Sequence, residues 1–260
     1  MTDYAWAAGT LWWREVVRFL RQRHRIVGAL ATPLVFWLII GGGLGSSFRS
    51  NTLGGEGYLE YSFPGALVLI LLFTAIFSTI SIIEDRQLGF LQAVLAAPVP
   101  RSAITLGKVL GGTTLALLQA LIFLLLAPLT GIPLSLEKVA ALSALMFLVG
   151  FGLTSLGLLI AWSMDSTQGF HAIMNLLLIP MWLLSGSFFP ASGAPAWIRW
   201  IIRANPLTYG VAAIRRLLYL EVAHSPADLP SLSVSIGITL AFGAAMFAAV
   251  SWMAARPASR

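Results

Sequence analysis

The chain has 260 residues, of which 58% are hydrophobic and 10% are charged, and it has no cysteine. Because a soluble domain carries about 25% charged residues, this composition predicts an integral membrane protein, and it excludes disulfides and thiolate metal sites. The formal net charge is +6, and we attribute it to membrane topology and not to nucleic-acid binding, since the basic residues lie near the predicted membrane ends.

Residues 5–25 form a charged segment before the first apolar run, which begins near Ile26. We identify no secretory signal peptide in it and expect the protein to be mature from Met1. Helical spacing of four arginines predicts an amphipathic helix with one basic face. The four are Arg14, Arg18, Arg21 and Arg25. Nearby tryptophans favour a helix in the cytosolic headgroup layer, which either contacts a partner or is only a topology anchor.

Six apolar runs are each near the length of about 20 residues that crosses a bilayer. They predict a single all-α transmembrane domain over residues 1–260, with both termini on the cytosolic side, where lysine and arginine are more frequent. Gly41 and Gly45 permit a close helix contact or form a flexible span end, and the alanines at 241, 245 and 249 predict a packing ridge. The spans are predicted at 27–44, 61–83, 102–129, 139–162, 170–189 and 232–254.

Residues 84–100 connect the second and third predicted spans. They open with Glu84, Asp85 and Arg86, continue as an apolar stretch, and stop at prolines that include Pro98. This stretch is too short to cross a bilayer, and a helix that is apolar nearly all round must be buried against something. We predict a short helix that docks on a partner, with both acids at its N-terminus. A well-packed loop between spans is the alternative.

Residues 190–220 are too interrupted by proline to form one span. Within them, 196–203 and 207–220 each have the pattern of a short amphipathic helix, and Asn205 with Pro206 separates the two. We expect these helices at the outer interface, partly re-entrant.

The spans contain almost no ionisable residues in their middles. An ion-coupled carrier would require such residues, so the sequence does not favour this class of transporter. His171 is more typical of a packed or interfacial histidine than of a proton relay. The three histidines are far apart, and neither a G-x-S-x-G nor a G-x-x-x-x-G-K-[ST] motif occurs, so no catalytic residue, no metal site and no ATP-binding site are predicted. A polytopic chain with a docking helix and no visible energy source indicates a subunit powered by another chain.

Two stretches resemble the permease subunits of type-2 ATP-binding-cassette exporters. EDRQLGFLQAVLAAPVPR, at 84–101, is similar to the family's acid–x–x–x–G–x–L…P–x–x–R elbow. LSGSFFPASGAPAWIRWIIRANPLTYGVAAIRR, at 184–216, is similar to its F-P…P…N-P-L-x-Y…R outer segment. Together with the order of the parts, the resemblance covers about residues 11–252.

The resemblance implies that 84–100 is a coupling helix seated in a cytosolic ATPase subunit, and that the N-terminal helix braces the same partner. It implies two permease copies, as a homodimer, two ATPase subunits that bind ATP and Mg²⁺, no cofactor on this chain, and a place in the plasma (inner) membrane. The implied coupling residues are Glu84, Asp85, Arg86, Gly89, Phe90, Leu91, Pro98 and Arg101. The implied outer gate contains Phe188, Phe189, Asn205 and Pro206.

The spans offer apolar walls with few polar groups, which favours an amphipathic or lipid-linked cargo over a small ion. The resemblance adds drug-like and glycan molecules to the expected cargo and implies outward movement. Aromatic residues in the spans are equally typical of packing or lipid-facing surface. Two other classes stay open, an assembly subunit and a membrane enzyme acting on lipids. The outer residues that could serve such an enzyme are Arg199, Arg203, His224 and Asp228.

Overall fold

A computed structural model describes residues 2–44, 58–187, 194–219 and 229–256, with backbone alone at 2–3, 23–26, 29, 32, 40–42 and 44. The described residues form helices and turns. A 3₁₀ turn at Ala127–Thr130 and a π-helical turn at Leu183–Ser187 accompany the α-helices. In chain order these are α1 (Thr2–Leu20), α2 (Arg23–Leu44), α3 (Tyr58–Ser78), α4 (Ile80–Gln87), α5 (Phe90–Ala96), α6 (Arg101–Leu124), α7 (Leu136–Trp162), α8 (Thr167–Trp182), α9 (Ala196–Ala204), α10 (Pro206–Leu218) and α11 (Leu232–Ala255).

Five helical segments are long and apolar enough to cross a membrane, and they coincide with five of the six predicted spans. The sixth predicted span, 27–44, lies within α2, a helix of 22 residues with Pro33 inside it. Since only part of its side chains is described, its crossing of the membrane stays a prediction. The five segments are Tyr58–Gln87, Arg101–Leu124, Leu136–Trp162, Thr167–Ser187 and Leu232–Ala255.

The segment formed by α3 and α4 is the centre of the bundle. Of its most apolar stretch, 83% is buried, against 22% for α11 at the periphery. A helix that is apolar on all sides is expected in such a central position. Near one end of α3, Phe63 stacks on Phe123 of α6 at 5.0 Å between ring centroids, and Trp37 of α2 packs edge-on against both rings. The core therefore joins α2, α3 and α6 through aromatic contacts.

The N-terminal helix is shorter than predicted. α1 ends at Leu20, Arg21 lies in the turn that follows, and Arg25 lies in α2 with its side chain outside the described residues. The prediction that four arginines share one helical face is therefore wrong, and only Arg14 and Arg18 share α1. The hydrophobic pattern changes from one-sided in α1 to apolar on all sides in α2. Because these two kinds of helix need different surroundings, the helix ends between them.

Close contact between α1 and α6 depends on Gly107 and Gly111, a small-xxx-small pair that the sequence reading overlooked. A Cβ atom at Gly107 would lie 2.7 Å from the carbonyl oxygen of Ala8, and one at Gly111 would lie 2.6 Å from the Cβ of Glu15. Of the predicted small-residue contacts, Gly45 lies outside the described residues. The helix α11 packs through Gly243 and not through the largely exposed alanines at 241 and 245.

We predict that Gly107→Ala destabilises the protein by about 1–3 kcal/mol, because the new methyl group must push the α1 backbone away. Gly237→Ala is the matched control in α11, where an added Cβ meets nothing within 4 Å and only the helix propensity of alanine acts, which favours the helix by up to about 1 kcal/mol. Thermal unfolding of the purified protein in detergent measures both effects. Equal stabilisation by the two substitutions would show that α1 and α6 are not tightly packed.

Candidate functional site

The elbow between α3 and α6 differs from the predicted single helix over 84–100. The helix α4 continues to Gln87, so Glu84 and Asp85 precede the turn and do not lie at the N-terminus of the short helix. The chain turns at Gly89, whose φ of 74° lies in the left-handed region that favours glycine. The short helix α5 begins only after this turn and ends before Pro98, because proline cannot continue a helix. A bend follows, in which the backbone N–H of Val99 donates to the carbonyl oxygen of Ala97 at 2.7 Å.

Asp85 is a fully buried carboxylate that contacts three cations. Its two oxygens accept hydrogen bonds from the two Nη atoms of Arg14 at 3.0 and 2.7 Å, and a third from Arg18 at 2.9 Å. Lys108 of α6 donates to it as well. A buried carboxylate is stable only when it is paired in this way. Asp85 therefore joins α4 to α1 and to α6.

Glu15 is a second buried acid at this junction. It accepts a hydrogen bond from Lys108 at 2.6 Å and one from Arg14 at 3.1 Å. Hydrogen bonding to Asp85 raises the pKa of the Arg14 guanidinium, against the opposing effect of burial, so this cation stays charged. Arg18 also pairs with Glu84. We call the six residues the ionic cluster, with three charges of each sign: Arg14, Glu15, Arg18, Glu84, Asp85 and Lys108.

Glu15 was not among the predicted site residues, and Lys108 was predicted only as a basic residue near the start of the third span. A signal was available, because each is a charge on an otherwise buried, apolar helix face. Glu15 lies among the buried Leu11, Val16 and Phe19 of α1. Two opposite charges in apolar segments indicate a pair between these segments.

Two further arginines attach the elbow region to distant parts of the chain. Arg86 donates to the carbonyl oxygens of Trp162 and Met164 at 2.5 and 2.7 Å, and it pairs with Asp165 at 2.9 Å. Arg101 donates to two carbonyl oxygens at the end of α11, at 3.0 and 2.8 Å. The elbow thus contacts the α7–α8 turn, and the start of α6 contacts α11.

Only part of the elbow is available to a partner. Leu91 is 4% exposed and belongs to the core, and the guanidinium of Arg14 lies 3.9 Å from the ring centroid of Phe90. Leu88, in contrast, is 76% exposed at the turn. Of the predicted coupling residues, the buried Leu91 and the paired Asp85 hold the elbow in place, and their action on a partner stays a prediction. The exposed surface comprises Gln87, Leu88, Gln92, Ala93, Ala96, Ala97, Pro98 and Pro100.

At the opposite end of the bundle, Asn205 connects three segments. Its Nδ2 donates to the carbonyl oxygens of Met181 and Leu184 at 2.6 and 3.1 Å, and its Oδ1 accepts from the backbone N–H of Leu207 at 3.0 Å. Pro206 takes the first position of α10, where its missing N–H costs nothing. The corner between α9 and α10 is thereby fixed to the end of α8.

Of the remaining residues predicted for the outer side, two lie within the described part of the chain. Phe188 and Phe189 of the predicted gate lie outside the described residues, as do His224 and Asp228. Arg199 and Arg203 are exposed on α9 beside exposed tryptophans. This pattern is typical of an interfacial helix.

A cleft of about 730 Å³ lies between α1, α2, the α3–α4 segment and α8. Most of its wall is apolar or aromatic, and it extends from the ionic cluster to Trp182 at the C-terminal end of α8. Trp182 contacts Phe36 edge-on at 6.3 Å and donates to the carbonyl oxygen of Gly65 at 2.8 Å. The lining residues include Phe19, Pro33, Phe36, Leu69, Phe73, Thr74, Phe77, Ser78, Ile80, Glu84, Thr167, His171, Ile179 and Trp182.

These features define a multi-pass helical membrane protein with a charged elbow at one end, proline-broken helices at the other, and a cleft between them. The chain belongs to the ABC-2 type transporter family, whose pattern it matches over residues 7–219. The resemblance inferred from the elbow and the outer segment is thereby confirmed.

Several transport permeases are similar to this chain along most of its length. The putative transport permease ycf38 of Cyanophora paradoxa is 28% identical over 235 residues, which cover 87% of this chain and 80% of the relative. The daunorubicin resistance ABC transporter permease protein DrrB1 of Streptomyces coeruleorubidus is 22% identical over 232 residues, 88% and 81% of the two chains. Nodulation protein J of Rhizobium meliloti (strain 1021) is 26% identical over 217 residues, 82% and 79%. This chain is therefore a transport permease.

We predict that Asp85→Asn destabilises the protein by about 3–5 kcal/mol, because it removes the buried carboxylate that binds Arg14, Arg18 and Lys108 and leaves three cations with two acids. Asp165→Asn is the control. It breaks the ion pair with Arg86 at a carboxylate whose side chain is 89% exposed, so the loss should stay below about 1 kcal/mol. Thermal unfolding in detergent separates the two cases. A similar, small loss for both substitutions would contradict the structural role of the ionic cluster.

We predict that Asn205→Asp destabilises the corner by about 1–3 kcal/mol, because aspartate can cap α10 but cannot donate to the two carbonyl groups of α8 and its following turn. Ser166→Asp is the control at the N-terminus of α8, where the side chain only accepts from Gly169 and aspartate caps equally well. Limited proteolysis and thermal unfolding give the readout. If Asn205→Asp is as well tolerated as Ser166→Asp, the amide does not hold this corner.

Proposed function

We propose that this permease is the membrane half of an exporter driven by a separate ATP-binding-cassette ATPase, and that the elbow of α4 and α5 receives the motion of this ATPase. Permeases of the ABC-2 family generally work with such ATPases. The proposed assembly contains two copies of this chain and two ATPase subunits, which bind ATP and Mg²⁺. The elbow faces the cytosol, together with both termini, and the cargo is an amphipathic, drug-like, lipid-linked or glycan molecule that moves outward.

The observation that carries the proposal is that the exposed turn at Leu88 is attached to several helices at once. Leu88 projects from the turn, while three residues earlier Asp85 binds side chains of α1 and α6. A force on Leu88 would therefore move α1, α4 and α6 together, and Arg86 would transmit it to the α7–α8 turn. Rigid-body displacement of this kind is a known way to switch access between two sides of a membrane protein.

The cleft is the proposed binding place of the cargo before export. Its volume of about 730 Å³ is within the range of about 300–1,000 Å³ that is usual for small-molecule sites. It borders the ionic cluster through Glu84 and reaches α8, whose far end is fixed by Asn205. Motion of the elbow can therefore change the width of the cleft directly, because α4 belongs both to the elbow and to the wall of the cleft.

We predict that Leu88→Asp weakens binding of the cognate ATPase at least about tenfold, because it places a charge where an apolar anchor enters the partner. The fold should be unaffected, since this side chain is 76% exposed. Leu136→Asp is the control, an 86% exposed leucine at the start of α7, at the other end of the bundle. Co-purification and ATPase activity with the reconstituted partner measure the effect.

Retention of full ATPase binding and of coupled ATP hydrolysis by Leu88→Asp would overturn the proposed role of the elbow. Substitution of Leu91, which the sequence suggested as a contact, would not be informative, because this side chain is part of the core.

A further inference from the structure

The hydroxyl groups on the α3 wall of the cleft are directed at α6. Thr74, which is 3% exposed, donates to Oε1 of Gln119 at 2.5 Å, and the hydroxyl of Ser78 donates to the carbonyl oxygen of Ala75 at 2.7 Å and lies against Gly112. Because both hydroxyl protons are used within the protein, neither is offered to an anion in the cleft.

Glu84 adds a negative charge to the same wall. Of the described residues that line the cleft, it is the one that carries a carboxylate. Arg18 binds its Oε2, and Oε1 has no hydrogen-bond partner within the described part of the chain. Arg18 itself does not line the cleft, so within the described residues the cleft is bordered by the carboxylate of this ion pair and not by its guanidinium.

Aromatic rings form much of the remaining wall. Phe77 lies 5.6 Å from Phe73 and 4.9 Å from His171, measured between ring centroids, which gives a continuous aromatic strip along α3 and α8. Ring faces carry a negative partial charge that attracts cations and repels anions. Among the described residues, the rings in the lining are Phe19, Phe36, Phe73, Phe77, His171 and Trp182.

We propose that the cleft selects organic cations, that is, apolar or aromatic molecules with one positively charged centre, over anionic molecules of the same shape. This inference rests on the proposed function of the cleft as a cargo site. The positive centre lies against the strip of Phe73, Phe77 and His171. An anion of equal size would meet ring faces and a carboxylate, and it would lose its hydration without a compensating partner.

Tetraphenylphosphonium and tetraphenylborate test this directly, because they have nearly the same shape and opposite charge. Equilibrium dialysis of each probe against the purified permease in detergent, with empty micelles subtracted, gives the two dissociation constants. We expect the phosphonium to bind at least about tenfold more tightly than the borate. Phe77→Leu should weaken phosphonium binding about fivefold, in line with the loss of one cation–π contact. Borate binding should not weaken to the same extent.

Phe147→Leu is the matched control, since Phe147 is a partly exposed ring on α7 that does not line the cleft. Equal or tighter binding of the borate, or an unchanged phosphonium affinity in Phe77→Leu, would overturn the inference. Neither measurement needs the ATPase. These measurements test cation selectivity alone, whereas the ATPase-binding experiment with Leu88→Asp tests the role of the elbow, so failure of one proposal is distinguishable from failure of the other.

Discussion

The pairing of one buried carboxylate with three cations is the interaction on which the rest of the structure depends. Desolvation of each charge in such a cluster costs several kcal/mol unless the charges balance, and here three basic and three acidic side chains balance. Separation of α1 or α6 from Asp85 would leave an unpaired charge in a buried place. The cluster therefore favours one arrangement of three helices over intermediate ones, and the position of the elbow determines all three.

The two ends of the bundle are held by different chemistry. Beside the elbow, ion pairs dominate, whereas at the opposite end side chains bond to backbone carbonyl groups: Asn205 to α8 and the turn that follows it, Tyr219 to Glu60, and Arg216 to Leu229 and Pro230. Where the donor is uncharged, as at Asn205 and Tyr219, such a bond contributes only about 0.5–1.5 kcal/mol. Under the proposed function, a stiff end receives the motion and a more easily rearranged end releases the cargo.

The hydrophobic pattern was sufficient to locate most spans, the elbow and the proline-broken outer helices, because these depend on local sequence. It could not show which leucine of the elbow is exposed, since the left-handed turn at Gly89 directs Leu91 inward and Leu88 outward. It also assigned the basic face of α1 to lipid headgroups. An arginine pattern does not reveal whether its acceptor is a phosphate or a carboxylate from a segment about 70 residues away, such as Asp85 for Arg14. The contact of Gly107 and Gly111 with α1 was missed for the same reason, because a local pattern does not identify a partner that is distant in sequence.

The most direct test of this account follows the distance between α1 and the elbow during the ATPase cycle. The chain has no cysteine, so spin labels can be placed at exposed positions such as Thr10 of α1 and Ala96 of α5, with labelled copies diluted by unlabelled ones. Pulsed electron spin resonance then measures their separation with and without ATP bound to the partner. The account predicts one narrow distance distribution that is the same in both states. A distance that shifts with the nucleotide would show that α1 and the elbow move independently, and would contradict it.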